Sequence, residues 1–218
     1  MKVLFIGKAG DVNAQKAAAW LKQFDIDLEV VWSARGMTYP EHLLKWKGDL
    51  LLSYLAQWII PKSSLEGAQI AALNWHPGTP EYPGIGCTNF AVYEGAQTFG
   101  MTCHHMNPKV DTGNIVDVRR FDVEANDDVF SMTQKCYELI LDSFQYVLDV
   151  ALKGSELPVS KEHWTRRPFK RVELDALCEL NLSMDEAEMR RRIKATKYDR
   201  HWAFIEINGI RFIPNSEI

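Results

Sequence analysis

The chain has 218 residues, of which 46% are hydrophobic, and it carries a formal net charge of −4 at pH 7. This length allows one large domain, or one domain with a small appendage. A charge so close to neutral gives no global electrostatic surface for nucleic acid, and no apolar run is long enough to span a membrane.

Strands alternate with helices through the first part of the chain. Apolar runs predict strands at residues 1–6, 28–32, 49–53, 70–73, 99–106 and 114–121. Helical spacing and start signals predict helices at residues 14–21, 40–47, 87–94 and 128–153, with Asp11 capping the first and Asn126 or Asp127 the last. This alternation predicts an α/β fold with a doubly wound, mostly parallel, Rossmann-like sheet. We expect this domain to occupy residues 1–155.

The last sixty residues differ in composition and predict a C-terminal extension, residues 156–218. Prolines and pairs of basic residues indicate an extended linker at its start. Ser183 followed by Glu186 fits a capping box that opens a helix at residues 184–194. Asn208-Gly209 between apolar runs predicts a β-hairpin with a type I′ turn, spanning residues 202–213. A hairpin is only marginally stable alone, so we expect it to dock on the domain or on a partner subunit.

The cysteines and the N-terminus bear on where the protein resides. The first predicted strand is too short and too interrupted to be a signal peptide. The four cysteines at positions 87, 103, 136 and 178 have no paired spacing, which is typical of free thiols in a reducing compartment. We therefore expect a cytoplasmic protein.

The residues with the clearest chemistry follow the fourth predicted strand. Asn74 and His76 point to the same side, because strand residues two apart do so. Pro77 ends the strand pairing, and a stiff Pro/Gly loop continues to Gly86. In open α/β sheets, ligands bind at this edge. Asp111 lies in a turn between the last two predicted strands.

Asn74, His76 and Asp111 together predict acyl transfer through a tetrahedral intermediate. The Asn74 amide can donate to an oxyanion without carrying charge. Asp111 can orient His76, or take a proton from a reacting amine through it. With no serine or cysteine nucleophile nearby, an acyl-enzyme is not expected. In the alternative, the two strand residues merely satisfy loop backbone groups and Asp111 caps a turn.

These motifs carry a resemblance to a known family. Asn74-Trp75-His76-Pro77, the Pro/Gly loop to Gly84, and Asp111-Thr112-Gly113 resemble the signature of the folate-dependent formyltransferases, over roughly residues 1–155. That family includes glycinamide ribonucleotide transformylase, methionyl-tRNA formyltransferase and the sugar N-formyltransferases. The resemblance implies transfer of a formyl group from 10-formyltetrahydrofolate, the co-substrate, to a primary amine. It also implies that Asn74 and His76 hold the oxyanion while Asp111 sets the charge of His76.

The same resemblance suggests where the co-substrate binds. Trp58, Ile59 and Ile60 fall in the family segment that lines the pterin pocket, and the loop with Met106 and Val110 would form the other wall. Alternatively, the segment that contains Trp58, Ile59 and Ile60 belongs to the core beneath the sheet. Tyr82, in the loop beside the catalytic strand, is a candidate for stacking on or bonding the acceptor substrate.

The two ends of the chain narrow the range of acceptor substrates that we expect. The turn after the first strand, residues 7–11, lacks the Gly/Ser/Asn-rich phosphate loop usual in the glycinamide ribonucleotide enzymes. The C-terminal extension is shorter than the barrel domain of methionyl-tRNA formyltransferase. It resembles instead the sugar N-formyltransferases, which act on nucleotide-linked amino sugars of bacterial surface polysaccharides such as O-antigen.

This resemblance implies a homodimer, with no nucleic-acid or membrane partner. The alternatives are formylation of another small amine, such as glycinamide ribonucleotide, or a non-catalytic folate-binding module.

His104-His105 beside Cys103 raises the question of a metal site. Adjacent strand residues point to opposite faces, so both histidines cannot easily bind one ion. No spacing in the chain matches a structural zinc site. We expect no metal.

Overall fold

The structure, a computed structural model, describes residues 1–198 and 202–214. Six strands form the main sheet: β1 Lys2–Lys8, β2 Asp27–Ser33, β3 Gly48–Tyr54, β4 Ala68–His76, β5 Thr98–His105 and β6 Ile115–Asp122. Their order is β2-β1-β3-β4-β5-β6. The first four pair in parallel, whereas β5 and β6 are antiparallel to their neighbours. The predicted α/β fold with a mostly parallel sheet is therefore confirmed.

Helices cover both faces of the main sheet. They are α1 Val12–Leu21, a 3₁₀ helix Glu41–Lys45, α2 Lys62–Leu65, α3 Cys87–Glu94 and α4 Val129–Leu152. Because the sheet is covered on both sides, three consecutive leucines of β3, at positions 50–52, are all fully buried. On one face Phe144 of α4 packs against Trp75 of β4 with 4.8 Å between ring centroids. On the other, Leu43 of the 3₁₀ helix packs with Leu51.

The start of α4 corrects the predicted cap. Asp128, rather than Asn126 or Asp127, is the N-cap, and it forms a capping box with Ser131. The Asp127 carboxylate instead accepts from the backbone N–H of Glu124 and from Lys135. The cap therefore lies one residue after the predicted candidates, and Asp127 closes the turn before it.

The C-terminal extension contains a second, three-stranded sheet. Its elements are α5 Arg171–Cys178, β7 Glu179–Leu180, α6 Glu186–Thr196, β8 Phe204–Ile207 and β9 Ile210–Phe212, with strand order β7-β8-β9. The predicted hairpin is confirmed, and Asn208 and Gly209 both have positive φ, at 52° and 77°, as a type I′ turn requires. Helix α6 begins two residues later than predicted because Asp185 caps it.

Helix α5 falls within the part of the extension predicted as linker. Before it, residues 156–170, which we call the strap, run back across the first domain. Strap N–H groups donate to carbonyl oxygens there, Ser160 to Ile115 and Thr165 to Pro80. The Phe169 ring also stacks on Phe90 of α3, with centroids 3.8 Å apart.

No helix within the described residues is long and apolar enough to cross a membrane.

Candidate active site

Strand register brings the first polar side chains together at the edge of the main sheet. Asn74 of β4 lies opposite His104 of the antiparallel strand β5, and the Asn74 Nδ2 is 3.1 Å from the His104 Nε2. Ser53 of β3 is the parallel partner of Asn74 on its other side. Because paired strand residues share a face, these three side chains form one row that faces the cavity.

The loop between β5 and β6 carries Asp111 back to this row. Asp111 has φ 46°, a left-handed conformation that aspartate tolerates better than most residues. The single proton of the Thr112 hydroxyl faces two acceptors, the Asn107 carboxamide oxygen at 2.8 Å and the carbonyl of Lys109 at 2.9 Å. A side chain at Gly113 would place its Cβ 1.7 Å from the carbonyl oxygen of His105, so only glycine allows this close approach.

Asp111 is the centre of a buried charge cluster. Its Oδ2 lies 3.2 Å from the His76 Nδ1, and its Oδ1 lies 3.2 Å from the His104 Nε2. The Gly84 N–H donates to the same Oδ2 at 2.8 Å. Burial alone would raise the pKa of Asp111, but the two imidazoles and this N–H outweigh burial and hold the pKa well below its ordinary value. Asp111 is therefore ionised at neutral pH.

The outer nitrogens of the two histidines face backbone carbonyls. The His76 Nε2 is 2.9 Å from the carbonyl oxygen of Tyr82, and the His104 Nδ1 is 2.9 Å from that of His105. A carbonyl only accepts, so each of these nitrogens must carry a proton to bond it. For His76 both nitrogens then face acceptors, which the imidazolium form satisfies completely.

The cluster opens into a cavity of about 470 Å³, a size typical of small-molecule sites. All eight predicted catalytic and co-substrate residues line it: Trp58, Ile59, Ile60, Asn74, His76, Met106, Val110 and Asp111. At the end near the 3₁₀ helix and α2, the Trp58 indole N–H donates to the carbonyl of Met37, which fixes the orientation of that ring. This end has mainly apolar walls suited to a flat aromatic ligand.

The opposite end of the cavity lies toward α4 and α5. Trp75, Ile85, Tyr137 and Arg171 line it. The Lys8 Nζ is 3.5 Å from the Tyr137 hydroxyl, so two basic residues flank this end. Tyr137 and Arg171 thus line the same cavity as the catalytic cluster.

Tyr82 lies apart from the cavity. Its side chain is 8% exposed and packs against Phe99, with the Arg166 guanidinium over its ring. Burial raises the pKa of its hydroxyl to about 12. The Tyr82 side chain does not line the cavity, and its role in acceptor binding stays a prediction. Its backbone carbonyl, by contrast, contacts His76.

The thiol closest to the cluster does not supply a nucleophile. Cys87 is buried and its Sγ donates to the carbonyl of Pro77 at 3.0 Å. Burial raises the pKa of this thiol to about 12, so it is protonated and poorly nucleophilic at neutral pH. This favours direct acyl transfer over an acyl-enzyme.

No group of His, Cys, Asp or Glu in the described part of the chain has the geometry to hold a metal ion.

Sequence reasoning missed three residues of the site. His104 was considered only as a metal ligand, and Ser53 and Trp164 were not considered. The Trp164 ring lies edge-on to His76 and His104, with centroids 6.0 and 5.1 Å apart. The alternation of β5 opposite β4 could have placed His104 beside Asn74, but only with the antiparallel register known.

The chain is similar to known proteins over the stretch that carries this site. A model of the formyl transferase family matches residues 39–144, the stretch with the catalytic strand and the Asp111 loop. Residues 39–144 match the formyl transferase family. The resemblance seen in the sequence is thereby confirmed over this part of the chain.

Relatives with assigned activities match part of the chain. A methionyl-tRNA formyltransferase from Staphylococcus aureus is 29% identical over 141 residues, which are 64% of this chain. The match spans only 45% of that relative's length.

Solved structures of formyltransferases share the fold over nearly the whole chain. A sugar N-formyltransferase from a Shewanella species has a TM-score of 0.79 at 17% identity, covering 98% of this chain and 96% of its own. A 4-N formyltransferase from Francisella tularensis has a TM-score of 0.78 at 15% identity and covers 100% and 98%. An N-formyltransferase from Helicobacter canadensis, solved with folinic acid and dTDP-3-aminofucose, has a TM-score of 0.74 at 15% identity and covers 96% and 85%. At these identities the likeness establishes the fold alone.

Proposed function

We propose that the protein transfers the formyl group of 10-formyltetrahydrofolate to the primary amine of a nucleotide-linked amino sugar. One observation carries this proposal. Asn74, His76 and Asp111 come from separate segments and line one cavity, where Asp111 lies 3.2 Å from both His76 and His104, and Asn74 lies 3.1 Å from His104. All three lie in the stretch that matches the formyl transferase family.

The polar cluster suits each step of direct transfer. As the amine attacks the formyl carbon, the carbonyl oxygen gains negative charge, which the Asn74 amide and a cationic His76 stabilise. Ionised Asp111 holds that cation and orients its ring. The proton lost by the amine enters the histidine–carboxylate cluster, and one proton returns to the folate nitrogen N10 as its bond to carbon breaks. Atoms and charge balance without an acyl-enzyme.

We assign a different part of the cavity to each substrate. The apolar end with Trp58 and Ile60 would receive the pterin, with Met106 and Val110 as the facing wall. The end with Tyr137 and Arg171 would receive the amine, because it lies on the opposite side of the catalytic cluster. Both Arg171 and Lys8, beside it, are cations of the kind that bind phosphate oxygens. The H. canadensis enzyme, which has the same fold, binds folinic acid and a nucleotide-linked amino sugar together.

The match of the C-terminal extension supports a sugar acceptor. The fold of the Shewanella and Francisella enzymes covers at least 98% of this chain, including its C-terminal extension. The extension of this chain thus corresponds to that of enzymes with sugar acceptors.

A panel of acceptors tests the proposal. Purified protein is incubated with 10-formyltetrahydrofolate and nucleotide-linked amino sugars, alongside glycinamide ribonucleotide and methionyl-tRNA. We expect one amino sugar to gain the mass of one formyl group. Folded His76→Ala and Asp111→Asn proteins should lose this transfer. Undiminished transfer in both variants contradicts the mechanism, and tight folate binding with no amine formylated indicates a binding module.

We also propose that the protein is a homodimer formed through the hairpin of β8 and β9. Ile205 pairs with Phe212 and Ile207 with Ile210 across the two strands, so the four apolar side chains share one face. Ile207, Ile210 and Phe212 are 43–60% exposed, and a self-complementary patch suits a two-fold contact. Phe212→Glu should convert a dimer into a monomer by light scattering. A wild-type monomer contradicts the proposal.

A cytoplasmic location is part of the same proposal. All four cysteines are buried free thiols, which suits a reducing compartment.

A further inference from the structure

Trp164 of the strap contacts the catalytic cluster from the side away from the cavity. Its ring lies against both His76 and His104, at centroid distances of 6.0 and 5.1 Å. Its indole N–H donates to the carbonyl of Gly113 at 2.8 Å. Trp164 therefore touches both histidines that hold Asp111 and the loop that carries Asp111.

A second cleft, of about 300 Å³, lies beside Trp164. Residues 112–115 and 162–164 line it, and none of them lines the catalytic cavity. Trp164 is partly exposed, whereas His76, His104 and Asp111 are only 5%, 2% and 5% exposed. Trp164 therefore contacts both the buried charge cluster and a second cleft.

The strap is anchored independently of the catalytic residues. The Glu162 carboxylate pairs with Arg120 through two bonds of 2.7 Å. The Thr165 N–H donates to the carbonyl of Pro80 at 3.1 Å. The position of Trp164 is therefore set on both sides by contacts outside the cluster, so it can fix the cluster rather than follow it.

Water at the back of this cluster would harm the proposed reaction in two ways. It would screen the attraction between Asp111 and the imidazoles, because electrostatic interactions weaken as the local dielectric rises. It would also give water a path to an activated formyl carbon, and excluding such side reactions is a known benefit of closed sites.

We propose that Trp164 is a positioning residue that closes the rear of the catalytic cluster against water and holds the Asp111 loop through Gly113. This inference rests on the proposed formyl transfer for its kinetic consequence. The covering role itself concerns only the protein, and it can be tested without any substrate.

The kinetic test compares Trp164→Ala, Trp164→Phe and His163→Ala. In Trp164→Ala we expect the kcat of transfer to fall about tenfold to a hundredfold, as small misplacements of catalytic groups do. The KM for folate should stay within about twofold of wild type, because binding groups are untouched. The share of formyl donor released as formate should rise. Trp164→Phe keeps an aromatic ring, so its kcat and its formate release should stay closer to wild type than those of Trp164→Ala. His163→Ala changes the exposed neighbour and should match wild type.

The substrate-free test measures how fast diethyl pyrocarbonate modifies His76 and His104, read by peptide mass spectrometry. We expect faster modification of both rings in Trp164→Ala, with protection retained in Trp164→Phe and His163→Ala. Trp164→Leu replaces the alanine variant if that protein does not fold, with the same direction expected. Wild-type modification rates in a folded variant that lacks the ring overturn the proposal. If wild-type protein formylates no amine, the proposed function fails while this measurement still decides the covering role.

Discussion

Among single residues, Asp111 makes the contacts on which most of the proposed chemistry depends. It is held by two imidazoles and one backbone N–H, and each contact comes from a different segment of the chain. A carboxylate with such partners is costly to leave unpaired in a buried site. The charge of Asp111 therefore also determines where the His76 ring is held.

Replacing Asp111 by asparagine should lower kcat about a hundredfold to ten-thousandfold, the range that general acid–base groups contribute. An amide has nearly the same shape but carries no negative charge, so it cannot hold the two imidazoles as the carboxylate does or accept a proton. Steady-state kinetics on the active acceptor measure the effect. Asp122→Asn, on the exposed end of β6, is the control and should keep wild-type kcat. An Asp111→Asn enzyme within threefold of wild type contradicts this role.

Gly113→Ala should lower activity by displacing the Asp111 loop from β5. The new Cβ would lie 1.7 Å from the carbonyl oxygen of His105, so the loop must shift, at a cost of about 1–3 kcal/mol in the free energy of unfolding. Urea denaturation and kcat measure the two effects. The control is Gly154→Ala, where φ is +73° but nothing lies within 4 Å of an added Cβ.

The two glycine variants should differ in kcat. Gly154→Ala is expected to lose about 1–2 kcal/mol from left-handed backbone strain with kcat unchanged. Equal loss of kcat in both variants contradicts a local role for Gly113.

At the scale of helices and strands, the sequence was informative wherever a local pattern decided the structure. Periodicity located the strands and helices of the sheet, and Asn208-Gly209 located the hairpin turn. Helix α5 was missed because its stretch follows prolines and basic pairs that favour a linker. His104 was missed because its role depends on which strand lies beside β4 and in which direction. Neither fact is encoded within a few residues of the histidine.

The cap of α4 gives a test at this scale. Asp128→Ala removes the side chain that accepts from the Ser131 N–H, which should lower the free energy of unfolding by about 1 kcal/mol. Asp149→Ala, on the same helix, breaks only an exposed i,i+4 pair with Lys153 and should cost less than about 0.5 kcal/mol. Urea denaturation of both proteins measures the difference. Equal losses contradict the assignment of Asp128 as the cap.

At the scale of the whole molecule, the buried carboxylate links folding stability to pH. The pKa of Asp111 in the folded protein lies below its ordinary value of about 4. Its ionised form therefore stabilises the fold above about pH 4, and this contribution is lost as the pH falls toward the folded pKa. Carboxylates with lowered pKa elsewhere, such as Glu81 and Asp127, act in the same direction.

Asp111→Asn should therefore lose less stability than wild type between pH 6 and pH 3. The variant has no carboxylate to protonate at this position, whereas Glu81 and Asp127 remain in both proteins. Urea midpoints at each pH measure the two declines. Identical declines contradict a lowered pKa at Asp111.

The path of the strap also bears on how such chains diversify. The carbonyl oxygens of Ile115, Pro80 and Pro83 each accept an N–H from residues beyond 155, so a polypeptide ending at the predicted boundary leaves them without these donors. Recombination that swaps one acceptor specificity for another would therefore preserve the sequence through Phe169. On this basis the expected crossover point is the start of α5, which follows the end of α4 after the eighteen residues 153–170.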